Sequence, residues 1–433
     1  MEYVRLNALD ELFLHLDHRE EPWVVHYEVR IAGRLDADRL AAAVAAAAAR
    51  HPIARARLAG WHGSDLGYRW EIADVLDTPL TIVNCADEAE LAAVRERLYS
   101  VSPSLAVAPP FIVVLAQTAV GDSLLLNLHH AAGDGIGAAR LVLSILRAYA
   151  GVEDLLPPID PLEVRDVYAL AGAASPAERF ERRRAAWLQA VDDWLAGPPA
   201  RLATEGGADC PGYGFELLAL SAEETEVFRG HRSPGTTLND VLLAGLAVAI
   251  ERWNREHHRP ARRIALTMPV NLRPPEWRTE VLANLASYTT VSVGRGQRDD
   301  LETALEAAVK GTRRIKEQRL AGSVVDQLRR LSTLPLAIKR MLPALIPLTG
   351  NVVVDTASLS NLGVLGDFPR LGDDAGTIDA VWFSPPNRMP LGASFGVATF
   401  DDRLHIALRY RRAQFDSDAA AAFAKLYRDV LST

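Results

Sequence analysis

Between residues 122 and 149 the chain changes its hydrophobic period, and the seven residues at the change limit what can be built there. Asp122-Ser-Leu-Leu-Leu-Asn-Leu128 is an apolar run of β length. From Gly137 to Tyr149 the apolar residues instead recur at helical intervals. The joint is His129-His130-Ala131-Ala132-Gly133-Asp134-Gly135. Gly133, Gly135 and Gly137 predict a tight turn through their backbone freedom, and Asp134 is placed to cap the following helix. A histidine at such a joint can face a cleft and act as a general base, which points to an enzyme that takes a proton from an acceptor during group transfer. The packing alternative makes Asp134 a cap and His129 a buried, hydrogen-bonded histidine.

Either side of this joint, strand and helix signals are mixed. Trp23–Ile31, Tyr68–Ile72 and Leu80–Val83 read as strands. Asp36–Arg50, rich in alanine, reads as a helix capped near Asp36, and Glu88–Ser100 as another. Phe111–Leu115 and Ser123–Leu128 fit an antiparallel hairpin. Prolines crowd residues 155–161, Pro176–Trp194 is a charged helix, and Gly197-Pro-Pro199 and Gly206–Gly214 read as loop. The interlobe connection is placed here, giving a first lobe over 1–175, a connection over 176–212 and a second lobe over 213–433. The second half repeats the mixture: helices at Thr237–Asn254, Leu301–Leu320 and Ser417–Leu431, and strands at Arg263–Pro269, Ser287–Val293, near Val352–Ser358 and at Leu404–Tyr410. The fold class expected is α/β (α+β).

Composition narrows the partners. A chain of 433 residues can bury a large core. Its net charge of -8 gives no electrostatic case for nucleic acid. Cys85 and Cys210 lie far apart with no metal or redox spacing, which predicts a reduced, cytoplasmic protein without a structural disulfide. Met1 is followed by Glu2-Tyr-Val-Arg5, so no signal peptide is expected. No apolar run is long enough to span a bilayer, so no transmembrane segment is expected. The most hydrophobic stretch, Leu334–Leu348, is interrupted by Pro335, Lys339, Arg340, Pro343 and Pro347, and reads as a core-facing helix between turns, with the wall of a greasy channel or a membrane-surface contact as the functional alternative. His257-His258 before Pro260 reads as a solvated turn, and no metal-ligand cluster is visible. The basic residues Arg313, Arg314, Lys316, Arg319, Arg329, Arg330, Lys339 and Arg340 read first as solvated helix faces, with binding of CoA phosphates or an acidic carrier as the functional alternative.

His129-His130-x-x-x-Asp134-Gly135 resembles the signature of the CoA-dependent acyltransferase superfamily. That group includes nonribosomal-peptide condensation domains, polyketide-associated and alcohol acyltransferases, wax ester synthases, and chloramphenicol and carnitine acyltransferases. The resemblance runs over most of the chain. Leu6-Asn-Ala-Leu-Asp10, Arg50-His51-Pro52-Ile53 and Arg55-Ala-Arg57 resemble the opening of condensation-type and wax-ester-synthase-type members. Thr237-Leu-Asn239-Asp240-Val-Leu-Leu-Ala244, and Met268-Pro-Val-Asn271-Leu-Arg273 followed by Asn284, resemble the wax-ester-synthase group. Leu359-Ser360-Asn361-Leu362-Gly363 is similar to the alcohol and polyketide-associated branch. One departure is plain: the Asp-Phe-Gly-Trp-Gly type motif of peptide condensation domains has no match, Ser394-Phe395-Gly396-Val397 and Gly366-Asp367-Phe368 being nearest. That favours a free-standing acyltransferase over assembly-line peptide synthesis, any carrier coming in trans.

The resemblance implies two chloramphenicol-acetyltransferase-like lobes in a V, with the histidine motif in a central tunnel. It makes His130 the general base, taking a proton from the acceptor and returning it to the leaving thiolate, while His129 orients backbone. Asp134 is open to two roles. It can orient the imidazole, as a protease aspartate does, or, as the family implies, pair with Arg273 and hold the architecture together. Gly135 leaves room for a pantetheine arm. Ser360 and Asn361 are candidate tunnel or oxyanion contacts, or a polar turn before Gly363. Gly-x-Ser-x-Gly is absent, so no covalent acyl-enzyme is expected. The expected function is transfer of an acyl group from CoA or carrier-bound phosphopantetheine, a co-substrate with no tightly bound cofactor, to a hydroxyl or amine in lipid or natural-product biosynthesis. The alternatives are a stand-alone peptide-type condensation enzyme and a silent homologue that binds acyl chains or a carrier.

Overall fold

The computed structural model describes residues 2–432 except 75, 77–78, 155–158, 208–210, 260, 278–280, 346–353, 367, 374 and 388–392. Cys210, Val352, Val353, Asp367, Pro347, Leu348 and the start of the proline-rich stretch therefore lie outside the described residues.

Two larger sheets organise the chain, and a three-stranded sheet of Glu2–Arg5, Arg69–Ile72 and Ala56–Leu58 flanks them. The five-stranded sheet runs Ile378–Ser384, Val24–Ile31, Gly121–His129, Phe111–Thr118, Leu80–Asn84. The expected hairpin is present, with Leu115 opposite Leu124. Helix Ala37–Arg50 starts where Asp36 accepts a hydrogen bond from the Arg39 amide at 2.7 Å.

The six-stranded sheet runs Ala286–Gly294, Arg263–Asn271, Ala357–Val364, Ala393–Phe400, Arg403–Arg411, Tyr213–Ala219. Helix Leu238–Glu256 packs within its core; every residue from Val241 to Ile250 is buried, as an all-round apolar helix requires. Its start is a reciprocal capping box between Thr237 and Asp240.

Several expectations change. Ile378–Ser384, from the second half of the chain, is the edge strand of the first sheet, with Trp382 opposite Glu28. It lies within the stretch given to the second lobe, 213–433, while its ladder is with Val24–Ile31 of the first sheet. Tyr213–Ala219 and Ala393–Phe400 are strands that the sequence pattern did not mark, because each carries an interior glycine. Both glycines mark close approach: a Cβ on Gly214 would fall 2.2 Å from the Tyr410 ring, and one on Gly396 would fall 1.9 Å from the Phe383 carbonyl. The strand expected near Val352–Ser358 is described over Ala357–Val364 instead, so Ser360 and Asn361 are strand residues rather than a turn. Over residues 334–345, the described part of Leu334–Leu348, there is not one helix but a four-residue helix at Leu336–Lys339 and a 3-10 turn at Pro343–Leu345; Leu336 is buried while Met341 is exposed. Among the described residues no helix is long and apolar enough to cross a membrane.

Candidate functional site

Strand Gly121–His129 hands over to helix Gly135–Ala150 through a turn at His130–Ala132. None of Gly133, Gly135 and Gly137 has a positive φ, so they are not there for a left-handed turn. They are there because other chain segments press on them. A Cβ on Gly133 would lie 2.7 Å from Leu282 Cδ1, and one on Gly137 would lie 3.1 Å from the Ala283 nitrogen.

The two histidines separate cleanly. His129 is buried, with Nδ1 accepting from the Ala131 amide at 3.1 Å and Nε2 3.5 Å from Asp17 Oδ2. It braces the turn. His130 lines a cavity of about 380 Å³ that also reaches strands Arg263–Asn271, Ala286–Gly294 and Ala357–Val364. Its amide donates to the Trp23 carbonyl at 2.8 Å, and its ring lies 4.0 Å from Phe13 between centroids. Burial is the largest influence on the imidazole and pushes its pKa down to about 4, against the pull of its own backbone, Asp134 and Asn284. The ring is therefore neutral at ordinary pH.

Asn284 decides which nitrogen carries the proton. Its Nδ2 donates to the carbonyls of His130 (2.7 Å) and Ala131 (3.0 Å) and to Asp10 Oδ1 (3.0 Å). Its Oδ1 is thereby left facing His130 Nδ1 at 3.3 Å. An acceptor oxygen there selects the Nδ1–H tautomer, which leaves Nε2 as the ring's acceptor atom. Asp10 is fully buried beneath this amide and also pairs with Arg165. Asn284 and Asp10 were legible as family-like positions, yet nothing in their spacing announced that Asn284 meets the histidine, 154 residues away, with Asp10 behind the amide.

Asp134 does not hydrogen-bond His130; it faces Arg273. The pair is bidentate, at 2.8 Å and 2.9 Å, with side chains 5% and 0% exposed. Asp134 also caps the helix through the Gly137 amide (2.9 Å) and accepts from the Leu285 amide (2.8 Å). Arg273 donates in addition to the Ala283 carbonyl at 2.9 Å. Gly135 faces the cavity, and a Cβ there would sit 2.9 Å from the Phe383 ring and 3.0 Å from Leu362. Gly135→Ala is accordingly expected to lower stability by about 1–3 kcal/mol, as overpacking does, and to narrow the cavity that Phe383 and Leu362 share; chemical denaturation reads the first effect.

Ser360 and Asn361 line the same cavity as His130. Asn361 Oδ1 accepts from the Gly363 amide at 2.9 Å, which leaves its Nδ2 as a donor. Several basic residues are held by the chain itself: Lys339 by Glu11 at 2.8 Å, Arg319 by Glu178 at 3.1 Å, and Arg340 over the Trp61 ring at 4.8 Å. His257, expected in a solvated turn, stacks on Trp253 at 4.3 Å and bonds Glu205 at 3.0 Å. Among the described residues no group of three or more His, Cys, Asp and Glu side chains is arranged to hold a metal ion.

Comparison with known proteins fits this geometry. The model of the condensation-domain family matches residues 12–281. An uncharacterized protein of Mycobacterium tuberculosis is 39% identical over 439 residues, covering 99% of each chain. Tyrocidine synthase 3 of Brevibacillus parabrevis is 24% identical over 259 residues, 55% of this chain and 4% of its own length. Among solved structures, the first condensation domain of the calcium-dependent antibiotic synthetase superposes with a TM-score of 0.72 at 16% identity, over 100% of this chain and 96% of that one. The epimerization domain from the third module of tyrocidine synthetase B gives 0.67 at 19% identity, over 99% and 95%. The chain belongs to the condensation-domain family, within the CoA-dependent acyltransferase superfamily.

Proposed function

We propose that this chain transfers an acyl group from a CoA or carrier-bound phosphopantetheine thioester to a hydroxyl or amine, with His130 as general base. The observation that carries the reading is the neutral His130 ring at the cavity wall, its Nδ1 engaged by Asn284 and its Nε2 left over. Nε2 takes the proton as the acceptor oxygen or nitrogen attacks the thioester carbonyl. The tetrahedral intermediate then collapses, the C–S bond breaks, and the imidazolium returns its proton to the thiolate. Ser360 and the Asn361 Nδ2 are the side-chain donors on this cavity suited to the developing oxyanion. Asp134 and Arg273 hold the turn and take no proton.

Amide-forming condensation of two building blocks is the second reading, favoured by the family match. Both predict thiol release. Incubation with a panel of acyl-CoAs and of carrier-loaded acyl thioesters, each with alcohols and amines, should liberate free thiol in step with an ester or amide seen by mass spectrometry. Products from free alcohols or amines favour the first reading, and turnover only with an acceptor presented on a carrier favours the second. Saturable binding of the thioesters without thiol release would mark a silent homologue and overturn both.

A further inference from the structure

The cavity that holds His130 is apolar along most of its wall, but one part of it is not. Thr267 and Thr290 are direct partners across the antiparallel ladder of Arg263–Asn271 and Ala286–Gly294. Both hydroxyls donate to a single carboxylate oxygen, Asp355 Oδ2, each at 2.7 Å. Among the described residues no donor reaches the other oxygen, Oδ1, and no Lys, Arg or His forms an ion pair with Asp355. Arg263 and Arg201 lie close enough for their charges to act on the carboxylate, but Arg263 is taken up by Asp193 at 3.1 Å and Ser292 at 2.9 Å, and Arg201 donates to the main-chain carbonyls of Val354 and Asp355. Beside Thr267 in the parallel ladder stands Ser358, whose buried hydroxyl has no hydrogen-bond partner among the described residues. Thr267, Thr290, Asp355 and Ser358 all line the cavity.

A carboxylate in such surroundings is costly unless a cation or several donors meet it. Burial, with a smaller push from Asp193, holds its carboxyl above the ordinary range despite both threonine bonds and the charge of Arg263. Two unmet acceptors, Asp355 Oδ1 and Ser358 Oγ, suit a group with several N–H donors and a positive charge, which a primary ammonium supplies. Its place along the sheet is also informative. Ala286 and Asn271 pair at the end of the ladder next to Asn284 and Arg273, and Thr290 and Thr267 pair four residues further on. At strand rise this is a displacement of about 13 Å.

We propose that Asp355, with Ser358, recognises a primary ammonium group carried on an apolar substrate chain, at the far end of the cavity from the bond being made. This rests on the acyl-transfer reading only in calling the ligand a substrate. The ammonium can belong to the acyl chain or to the acceptor.

The deciding experiment measures binding, not turnover. At pH 7.5, hexylammonium and 1-hexanol are titrated calorimetrically into the wild-type protein and into Asp355→Asn, which keeps an acceptor for both threonines. The expected result is hexylammonium binding about tenfold or more tighter than hexanol, with the preference lost in Asp355→Asn. Equal binding of the two probes by the wild-type protein overturns the proposal whether or not the variant folds, and so does a preference that survives in a folded Asp355→Asn. Because neither titration needs catalysis, a protein that releases no thiol yet shows the Asp355-dependent preference defeats the acyl-transfer reading alone. Turnover then assigns the source. A gain for 8-aminooctanoyl-CoA over octanoyl-CoA, abolished in Asp355→Asn, places the ammonium on the acyl chain. The same gain for 1,8-diaminooctane over octylamine places it on the acceptor. A functioning enzyme with neither gain overturns the substrate role.

Discussion

His130→Asn is expected to lower kcat/KM for acyl transfer by about 10²–10⁴-fold, the range that loss of a general base produces, with little change in stability. Asparagine is the informative replacement because its Nδ2 sits where Nδ1 does and can still donate to Asn284 Oδ1, 3.3 Å from the native ring nitrogen. It offers nothing in the place of Nε2. His130→Ala removes the base too, but it also opens a hole beside Phe13 and leaves the Asn284 oxygen without its donor, so its lower activity would be mixed with lower stability. If His130→Asn turns over at the wild-type rate under conditions where the wild-type protein releases thiol, the imidazole is not the base.

The pH profile offers a second handle on the same ring. A solvated histidine gives an acid limb in kcat/KM near about 6.5. Burial moves that of His130 down to about 4, so the base stays competent through the neutral range and the rate should be flat from about pH 6 to 8 where this group alone controls it. The sign for stability follows from linkage. Between about pH 6.5 and 4 the unfolded chain binds the proton that folded His130 refuses, so this group's contribution is complete above the upper value and is lost as the pH falls through the window. His51 and His405, also buried and depressed to about 3 and about 4, act in the same direction. An acid limb near 6.5 in a protein that is still folded would show the ring to be solvated.

Legibility in the sequence followed the range of the interactions. The strand-to-helix joint, the Asp36 and Asp134 caps and the Phe111–His129 hairpin depend on neighbours along the chain, and their patterns could be read directly. The strands Tyr213–Ala219 and Ala393–Phe400 depend on partners far away, and their interior glycines, needed where Tyr410 and Phe383 press close, looked like loop. The glycines of the histidine motif show the same thing: they accommodate Leu282, Ala283 and Phe383, not a turn. At the site, His130, Asp134 and Gly135 were legible because they are contiguous. Asn284 fixes the tautomer from a strand entrance in the other half of the chain, and Asp355 reaches the cavity through two threonines on neighbouring strands. No single-chain periodicity carries such pairings.

Asp134 and Arg273 bear the other large expected effect, and it falls on stability before it falls on chemistry. Asp134→Ala strands a guanidinium whose side chain is 0% exposed, leaving it the carbonyls of Val281 and Ala283 and the Asn271 side-chain oxygen. Breaking a buried pair from one side costs about 3–5 kcal/mol. Arg273→Ala should cost less, by about 1 kcal/mol, because Asp134 keeps the Gly137 amide and with it the helix cap. It also keeps the Leu285 amide, so the orphaned carboxylate retains two donors. The double variant leaves no buried charge unpaired and should lose less than the sum of the single losses, a coupling that denaturant titration of all four proteins reads out. Activity should fall in every variant, since the pair fastens the histidine turn to Arg273 and Leu285 of the segment that also bears Asn284. The order of events separates architecture from chemistry. A variant that keeps its unfolding midpoint while losing turnover would put the Asp134 carboxylate in the reaction itself. A loss of activity that tracks loss of stability keeps it where the geometry has it, turned away from the imidazole and toward the guanidinium.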